Sequence, residues 1–264
     1  MKSGGKRRKE RADRLLVERG LADSRTRAQA LIMAGLVRSG ERRIDKAGEL
    51  LRLDSPLAVQ GRDHPWVSRG GLKLAHALKH FALGDAVEGA VALDIGASTG
   101  GFTDVLLHHG AGRVHAVDVG YGQLADRLRR DPRVIVHERT NARHLTREII
   151  PEPVDFLVCD ASFISLKTVL PAALSLAAPH AHLIALIKPQ FEAGRDAVGK
   201  GGVVRDPAVR EAVVADIRDW LAGREGWRVI GVAESPVLGP KGNHEFLIAA
   251  RKGGPFPGDD EDRP

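Results

Sequence analysis

Apolar positions along residues 68–252 follow two rhythms that alternate with each other. Short runs of consecutive apolar residues, typical of strands buried on both faces, are separated by stretches with apolar residues three or four positions apart. This alternation predicts an α/β fold, a doubly wound and mostly parallel sheet with helices on both faces. The predicted strands are 91–95, 113–117, 134–137, 156–159, 183–187, 228–233 and 246–250, and the predicted helices are 71–81, 103–109, 123–130, 167–177 and 207–221.

The first sixty residues follow a different pattern. Ala12 and Leu16 lie at helical spacing in a helix over 11–19 that Gly20 can end. Ser24 is a favourable N-cap for a second helix, which Gly35 closes. Three short segments with polar turns between them, 36–38, 42–44 and 57–59, are predicted strands. The pattern predicts a small α+β domain.

Composition divides the chain into five segments. The helical periodicity restarts after Pro65, which disfavours a helix at the preceding residue, and Gly, Pro and acidic residues dominate the end of the chain. The predicted segments are a basic extension (1–9), the α+β domain (10–62), a linker (63–67), the α/β domain (68–252) and a disordered acidic tail (253–264).

Positive charge is concentrated in the first quarter of the chain. The 264 residues have a formal net charge of +6, yet residues 1–64 carry 16 basic and 9 acidic side chains. A basic module joined to a near-neutral body is typical of proteins that bind polyanions. A solvated basic tail would give the same count, so charge alone leaves the partner open.

Other features of the sequence exclude whole classes of protein. The longest apolar stretch, 170–187, is interrupted by prolines, histidines and a serine, and the first apolar run is too short for a signal peptide. The single cysteine, Cys159, excludes an internal disulfide and a cysteine-based zinc site. We therefore expect a cytoplasmic protein without a membrane span, and we predict no metal site.

A glycine-rich turn follows the first strand of the α/β domain. Its spacing matches neither the dinucleotide fingerprint nor the phosphate-binding loop. An acidic residue followed by G-x-x-x-G-G is instead typical of proteins that bind S-adenosylmethionine, and an aspartate after the second strand can accept both ribose hydroxyls of a nucleoside. The predicted cofactor-binding residues are Asp94, Gly96, Ala97, Ser98, Gly100, Gly101, Phe102, Asp118 and Asn141.

The end of the fourth strand indicates which atom is methylated. Asp160-Ala-Ser-Phe lacks the Pro-Pro-aromatic sequence of enzymes that methylate exocyclic amines, and Cys159 lies in an apolar strand that favours an inert thiol. Hydroxyl methylation remains, and at pH 7 a hydroxyl needs a base. An ordinary lysine, with a pKa of about 10.4, is protonated at that pH, so a lysine base needs surroundings that disfavour its ammonium form. The polar residues at predicted element ends are Lys73, Asp160, Lys188 and Glu245.

These motifs together resemble one family. Residues 11–38 resemble the RNA-binding domain named after ribosomal protein S4, and the four polar residues match the Lys-Asp-Lys-Glu tetrad of the FtsJ-like ribose 2′-O-methyltransferases. The fusion of the two, with Ser68-Arg-Gly-Gly-Leu-Lys, Asp160-Ala-Ser-Phe-Ile-Ser, Lys188-Pro-Gln-Phe-Glu and Gly242-Asn-His-Glu, resembles the TlyA (hemolysin A) family. The linker Asp63-His-Pro-Trp departs from the Arg-Ala-Trp form of that family.

The resemblance implies a class I, Rossmann-like methyltransferase domain that uses S-adenosylmethionine. It implies a cytidine 2′-hydroxyl in 23S ribosomal RNA as the acceptor, and the basic extension favours 16S RNA as a second substrate. The implied partners are ribosomal RNA or ribosomal subunits, with no membrane and no obligate protein partner. The implied catalytic residues are Lys73, Asp160, Lys188 as the base, and Glu245; the implied RNA-binding residues are Arg25, Arg27, Arg38, Arg42 and Arg43.

Two other functions remain open from the sequence. A non-catalytic ribosome-binding factor would keep the fold and the basic module without the activity, although the intact tetrad and glycine turn argue against it. A membrane-damaging haemolysin would have to act through an amphipathic helix, and the apolar stripes of the predicted helices are narrow and better used in a core.

Overall fold

The computed structural model describes residues 9–19, 21–22, 24–59, 64–194, 197–199 and 201–253. It divides into two compact units, of which the first ends at Pro65 and the second begins at Trp66. The basic extension up to residue 8, Gly20 as a helix stop, Asp63 in the linker and the tail from residue 254 lie outside the described residues.

The described residues of the N-terminal unit form two helices and two small sheets. The Ser24 hydroxyl accepts a hydrogen bond from the Arg27 backbone N–H, as its predicted N-cap role requires. Leu16, Ile32 and Ile44 are among the side chains of its core. The helices are α1 (Ala12–Glu18) and α2 (Arg25–Met33); the strands are β1 (Lys9–Arg11), β2 (Val37–Ser39), β3 (Arg42–Arg43), β4 (Leu50–Arg52) and β5 (Ala58–Val59).

The sheets of this unit have the orders β3-β2-β5 and β1-β4, and all their strand pairs are antiparallel. The sequence did not predict β1 or β4. Both are three-residue strands that pair across some forty residues of chain, and β1 reads Lys-Glu-Arg, which has no apolar alternation to detect.

The C-terminal unit is a seven-stranded sheet in the order β11-β12-β10-β9-β6-β7-β8. Strands β10, β9, β6, β7 and β8 are parallel, and β12 is antiparallel to both of its neighbours. The predicted fold is confirmed. The strands are β6 (Val91–Ile95), β7 (Arg113–Val117), β8 (Val134–His137), β9 (Val154–Cys159), β10 (Ala177–Ile187), β11 (Trp227–Glu234) and β12 (Phe246–Lys252); the helices are α3 (Gly70–His80), α4 (Gly101–His108), α5 (Asp126–Arg129), α6 (Leu166–Ser175), α7 (Pro189–Glu192) and α8 (Pro207–Ala222).

Two apolar cores cover the two faces of this sheet. On β10, Ile184 and Leu186 belong to one core, whereas Leu183, Ala185 and Ile187 belong to the other. Because successive residues of a strand point to opposite faces, a strand buried on both faces needs an unbroken apolar run. This explains why the central strands could be predicted from their composition.

Two elements differ most from their predicted lengths. The helix expected at 123–130 forms only as α5, because Ala125 is extended and its N–H bonds to Thr99 O in the glycine turn. The fifth strand begins at Ala177 rather than at residue 183, with an irregular pairing to β9 between Ala177 and His182. Polar residues around that irregularity interrupt the apolar run, so the first half of β10 could not be recognised in the sequence.

Candidate active site

Four predicted catalytic residues stand at element ends that meet at one edge of the large sheet. Strands β9 and β10 are parallel neighbours, so Asp160 and Lys188, which follow them, lie at the same edge. Strand β12 runs antiparallel to β10 with Phe246 opposite Ile187, which places Glu245, the residue before β12, beside Lys188. Lys73 comes from α3.

The four side chains form a continuous series of opposite charges. Lys188 Nζ lies 2.6 Å from Asp160 Oδ1, Lys73 Nζ lies 3.8 Å from Asp160 Oδ2, and Lys73 Nζ lies 2.6 Å from Glu245 Oε2. Glu245, Lys188 and Lys73 are only 1%, 6% and 8% exposed. Because a buried charged side chain is costly unless it is paired, the order Lys188–Asp160–Lys73–Glu245 holds the four side chains in place.

Lys188 also contacts a residue that the sequence analysis did not select. Its Nζ donates hydrogen bonds to Ser162 Oγ at 2.9 Å and to Asp160 O at 3.2 Å. The Asp160 Oδ1 atom, although close, is outside hydrogen-bond geometry. Ser162 lies two residues after Asp160 in the same loop, so the motif contained it, but a serine in an exposed loop carries no signal of its own.

Glu245 keeps one carboxylate oxygen available. Its Oε2 accepts from Lys73, whereas Oε1 is buried and has no hydrogen-bond partner among the described residues. The loop before β12 packs against this oxygen so closely that a Cβ at Gly239 would overlap it. A buried acceptor without a donor is costly unless a ligand supplies one.

Asp94 ties the glycine turn to α4, and its predicted role as a cofactor ligand stays a prediction. Its Oδ2 accepts from the Thr103 backbone N–H at 2.9 Å and from Thr103 Oγ1 at 2.6 Å, which ties the end of β6 to the first turn of α4. Burial raises the pKa of Asp94 to about 7. Gly100 is the left-handed N-cap of α4, with φ of 95°, and a Cβ there would overlap Leu128.

Two further predicted cofactor ligands lie beside this turn. Asp118 accepts from the Ser98 N–H through Oδ2 at 2.8 Å and from the Gly120 N–H through Oδ1 at 2.7 Å. Asn141 caps a short 3₁₀ helix, with its side chain accepting from the Arg143 N–H. Their roles as cofactor ligands stay predictions.

A cleft of about 810 Å³ connects the glycine turn with the four charged residues. Gly96, Ala97, Ser98, Gly101 and Phe102 line it, whereas Asp94, Gly100, Asp118 and Asn141 are not among its lining residues. Several other residues that line the cleft were not predicted from the sequence as site residues. They are Ser68, Ser162, Phe163, Gln190, Phe191, Leu238, Lys241 and Asn243.

An aromatic pair stands at this cleft. Phe163 is 89% exposed and has a φ of 65°, a left-handed backbone conformation that is unfavourable for a bulky residue. Its ring centroid lies 5.0 Å from that of Phe191. Exposed aromatic rings beside charged groups are suited to stacking on an unpaired nucleobase.

The predicted RNA-binding arginines of the N-terminal unit are largely occupied by acidic or carbonyl partners. Arg25 pairs with Asp13 at 3.0 Å, Arg42 with Glu49 at 2.6 Å and Arg43 with Asp45 at 2.6 Å, while Arg38 donates to Glu41 O. Arg27 lies on the first turn of α2. The pairs of Arg42 and Arg43 are largely exposed and contribute little stability, so a phosphate can replace their acidic partners at small cost, whereas the Asp13 partner of Arg25 is buried.

Among the described residues, no helix combines the length and the apolar character needed to cross a membrane. No group of three or more histidine, cysteine, aspartate and glutamate side chains there is arranged to hold a metal ion.

Residues 66–252 match the model of the FtsJ-like methyltransferases and residues 10–55 match that of the S4 domain. The chain is 51% identical over 246 residues to the 16S/23S rRNA (cytidine-2′-O)-methyltransferase TlyA of Mycobacterium tuberculosis. The matched region covers 92% of this chain and 90% of that relative. The chain is also 39% identical over 239 residues to Hemolysin A of Brachyspira hyodysenteriae, covering 90% of this chain and 98% of that protein.

Among solved structures, a candidate hemolysin from Streptococcus thermophilus is similar with a TM-score of 0.72 and 42% identity, over 93% of this chain and 89% of that one. The large matched region, the tetrad and the preceding S4 match agree with one another. The chain belongs to the FtsJ-like methyltransferase family, and within it to the TlyA (hemolysin A) group, in which an S4 domain precedes the methyltransferase domain.

Proposed function

We propose that this chain transfers the methyl group of S-adenosylmethionine to a cytidine ribose 2′-hydroxyl in 23S ribosomal RNA, and in 16S RNA as a second substrate. The observation that carries the proposal is the buried series Lys188–Asp160–Lys73–Glu245, which lines the same cleft as the glycine turn. The activity named for the Mycobacterium tuberculosis relative supports the choice of acceptor.

The residues present fit S-adenosylmethionine. Glycine at 96 lets the turn approach the loop after β9, since a Cβ there would come within 3.0 Å of the Ala161 backbone. Each oxygen of Asp118 accepts one backbone N–H and retains a lone pair for a ribose hydroxyl. When bound, the cofactor supplies an electrophilic methyl group on a sulfonium.

The tetrad supplies the groups that a 2′-hydroxyl needs. Lys188 Nζ, as a neutral amine, accepts the hydroxyl proton, and Asp160 holds both lysines in place. Lys73 and the free Oε1 of Glu245 orient the ribose. Cys159 does not compete as a nucleophile, because burial raises the pKa of its thiol to about 12.

The N-terminal unit supplies RNA affinity in this proposal. Guanidinium groups bind phosphate oxygens and read the shape of an RNA more than its sequence. We expect binding to weaken as salt rises, since each neutralised phosphate releases counterion. An enzyme with this substrate works in the cytoplasm, on free RNA or on ribosomal subunits.

The test is to incubate the purified full-length protein with S-adenosylmethionine and with 50S subunits, 30S subunits or protein-free RNA. A 2′-O-methyl group blocks alkaline cleavage at one linkage, so the modified nucleotide appears as a gap in the hydrolysis ladder. We expect a gap at a cytidine. RNA binding without any gap would support a non-catalytic binding factor instead, and modification of a base would contradict the proposed acceptor.

A further inference from the structure

The amine of Lys188 has three oxygen neighbours that differ in chemistry. Asp160 O and Asp160 Oδ1 can only accept a hydrogen bond, because a carbonyl and a carboxylate carry no proton. Ser162 Oγ, at 2.9 Å, can accept a hydrogen bond and can also donate one. An ammonium group offers three N–H donors, whereas the neutral amine that a base requires has two and a lone pair.

Ser162 is the neighbour that suits both protonation states. Toward the ammonium it accepts, as in the structure; toward the amine its hydroxyl can rotate and donate to the lone pair. The Asp160 carbonyl oxygen stays an acceptor for one of the remaining N–H groups. Ser162 is also exposed and lines the cleft, whereas the Asp160 Oδ1 atom is buried. A route from Lys188 Nζ to solvent therefore passes through the Ser162 hydroxyl.

We propose that Ser162 is a positioning residue that holds Lys188 Nζ in both of its protonation states and passes its proton to solvent. The inference rests on the proposed function. As the ribose oxygen bonds to the methyl carbon, the bond from that carbon to the sulfonium sulfur breaks and S-adenosylhomocysteine leaves as a thioether. The ribose O–H bond breaks at the same time and its proton moves to Lys188 Nζ. Ser162 Oγ then takes a proton from the ammonium while its own proton leaves to water, which restores both the amine and the hydroxyl.

Other titratable groups around Lys188 come from several elements. Asp160 follows β9, Lys73 lies on α3 and Glu245 precedes β12, and within the sheet Cys159 and Asp94 lie near Asp160. All five remain in a variant at position 162. A change in pH dependence on substituting Ser162 therefore reports on the hydroxyl and not on these neighbours.

The test compares kcat across pH 6–10 for the parent, Ser162→Ala and Ser162→Thr, with cofactor and RNA saturating. Loss of the hydrogen bond that Ser162 Oγ accepts from the ammonium should move the acid limb of the Ser162→Ala profile downward by about 0.5–1 pH unit. Loss of the proton route should also lower the plateau of kcat, with KM for RNA and cofactor unchanged. Ser162→Thr retains a hydroxyl and should restore the parent profile. Ser175→Ala, at an exposed serine at the end of α6, is the matched control.

A second measurement does not depend on methyl transfer and therefore also applies if Ser162→Ala is inactive. Acetylation of Lys188 in the cofactor-free protein, followed by mass spectrometry across pH, should reach half its limiting rate at lower pH in Ser162→Ala than in the parent. Superimposed parent and alanine profiles, or a threonine variant displaced like alanine, would overturn the role of Ser162. Absence of ribose methylation by the parent would count against the proposed function, while the acetylation profiles still decide the role of Ser162.

Discussion

Asp13 in the N-terminal unit and Asp94 in the C-terminal unit are both 0% exposed, yet their pKa values are shifted in opposite directions. Hydrogen bonds from the Arg11 guanidinium, supported by Gln29 and Arg25, hold the pKa of Asp13 well below its usual range. Asp94 receives only the hydroxyl and backbone N–H of Thr103, and burial raises its pKa to about 7. Burial alone therefore does not decide whether a carboxylate stays charged; its partners do.

The two units also differ in how exposed the cations beside their carboxylates are. The N-terminal unit uses one buried carboxylate to fix arginines whose guanidiniums stay partly exposed, 36% for Arg11 and 51% for Arg25. The C-terminal unit buries the cations too, in the series Lys188–Asp160–Lys73–Glu245. Exposed cations suit binding of a polyanion, whereas buried cations suit a reaction that depends on geometry and proton transfer.

The largest effect should come from exchanging the type of cation in the buried series. Lys188→Arg keeps the positive charge but removes an amine that can lose its proton, so methyl transfer should fall by about 10²–10⁴-fold. Calorimetry should show cofactor and RNA binding close to the parent. Lys167→Arg, at an exposed pair with Asp216, is the matched control and should leave the rate unchanged. A Lys188→Arg enzyme as fast as the parent would mean that Lys188 is not the base.

The next largest effect should come from removing the buried charge of the N-terminal unit. Asp13→Asn removes the carboxylate that the Arg11 and Arg25 guanidiniums share and should cost about 2–4 kcal/mol of stability, since the lost hydrogen bonds involve a charged group. Because the folded-state pKa is lowered, this contribution is present above the usual aspartate pKa and is lost in acid. Urea unfolding at pH 7 measures it, and Asp45→Asn, in an exposed pair with Arg43, should change stability by less than about 1 kcal/mol.

Asp94→Asn should have a smaller effect that depends on pH. The folded protein holds a proton on Asp94 up to about pH 7, whereas the unfolded chain loses it near the ordinary aspartate pKa of 3.8. The parent therefore loses stability as the pH rises from about 3.8 to about 7. Asparagine is neutral throughout. Between pH 5 and pH 8 the parent should therefore lose on the order of 2–3 kcal/mol relative to the variant. A stability difference that is the same at both pH values would show that Asp94 is charged in the folded protein.

The sequence predicted the central strands well because burial on both faces leaves an unbroken apolar run, as in residues 156–159 of β9 and 183–187 of β10. It also selected the four residues that the structure brings together, since the ends of parallel strands share one edge. It could not find β1 and β4, whose pairing partners are distant in the chain. It also missed Ser162, because the significance of that hydroxyl lies in its distance from a lysine on another strand.

The smallest expected effect concerns Asp118, a carboxylate of intermediate burial whose partners in the structure are two backbone N–H groups. If it also accepts the ribose hydroxyls of the cofactor, Asp118→Ala removes bonds to a charged group, which contribute about 1.5–3 kcal/mol. The dissociation constant for S-adenosylmethionine should then rise about ten- to a hundredfold in calorimetry, with RNA affinity unchanged.

Asp126→Ala, at an exposed aspartate on α5, is the matched control and should bind the cofactor like the parent. Because Asp118 also fastens the turn at Ser98, thermal unfolding of the cofactor-free variant is needed to exclude a loss of folding. An affinity equal to that of the parent would show that the ribose lies elsewhere, and Asp118 would then serve only to hold the glycine turn, as Asp94 does.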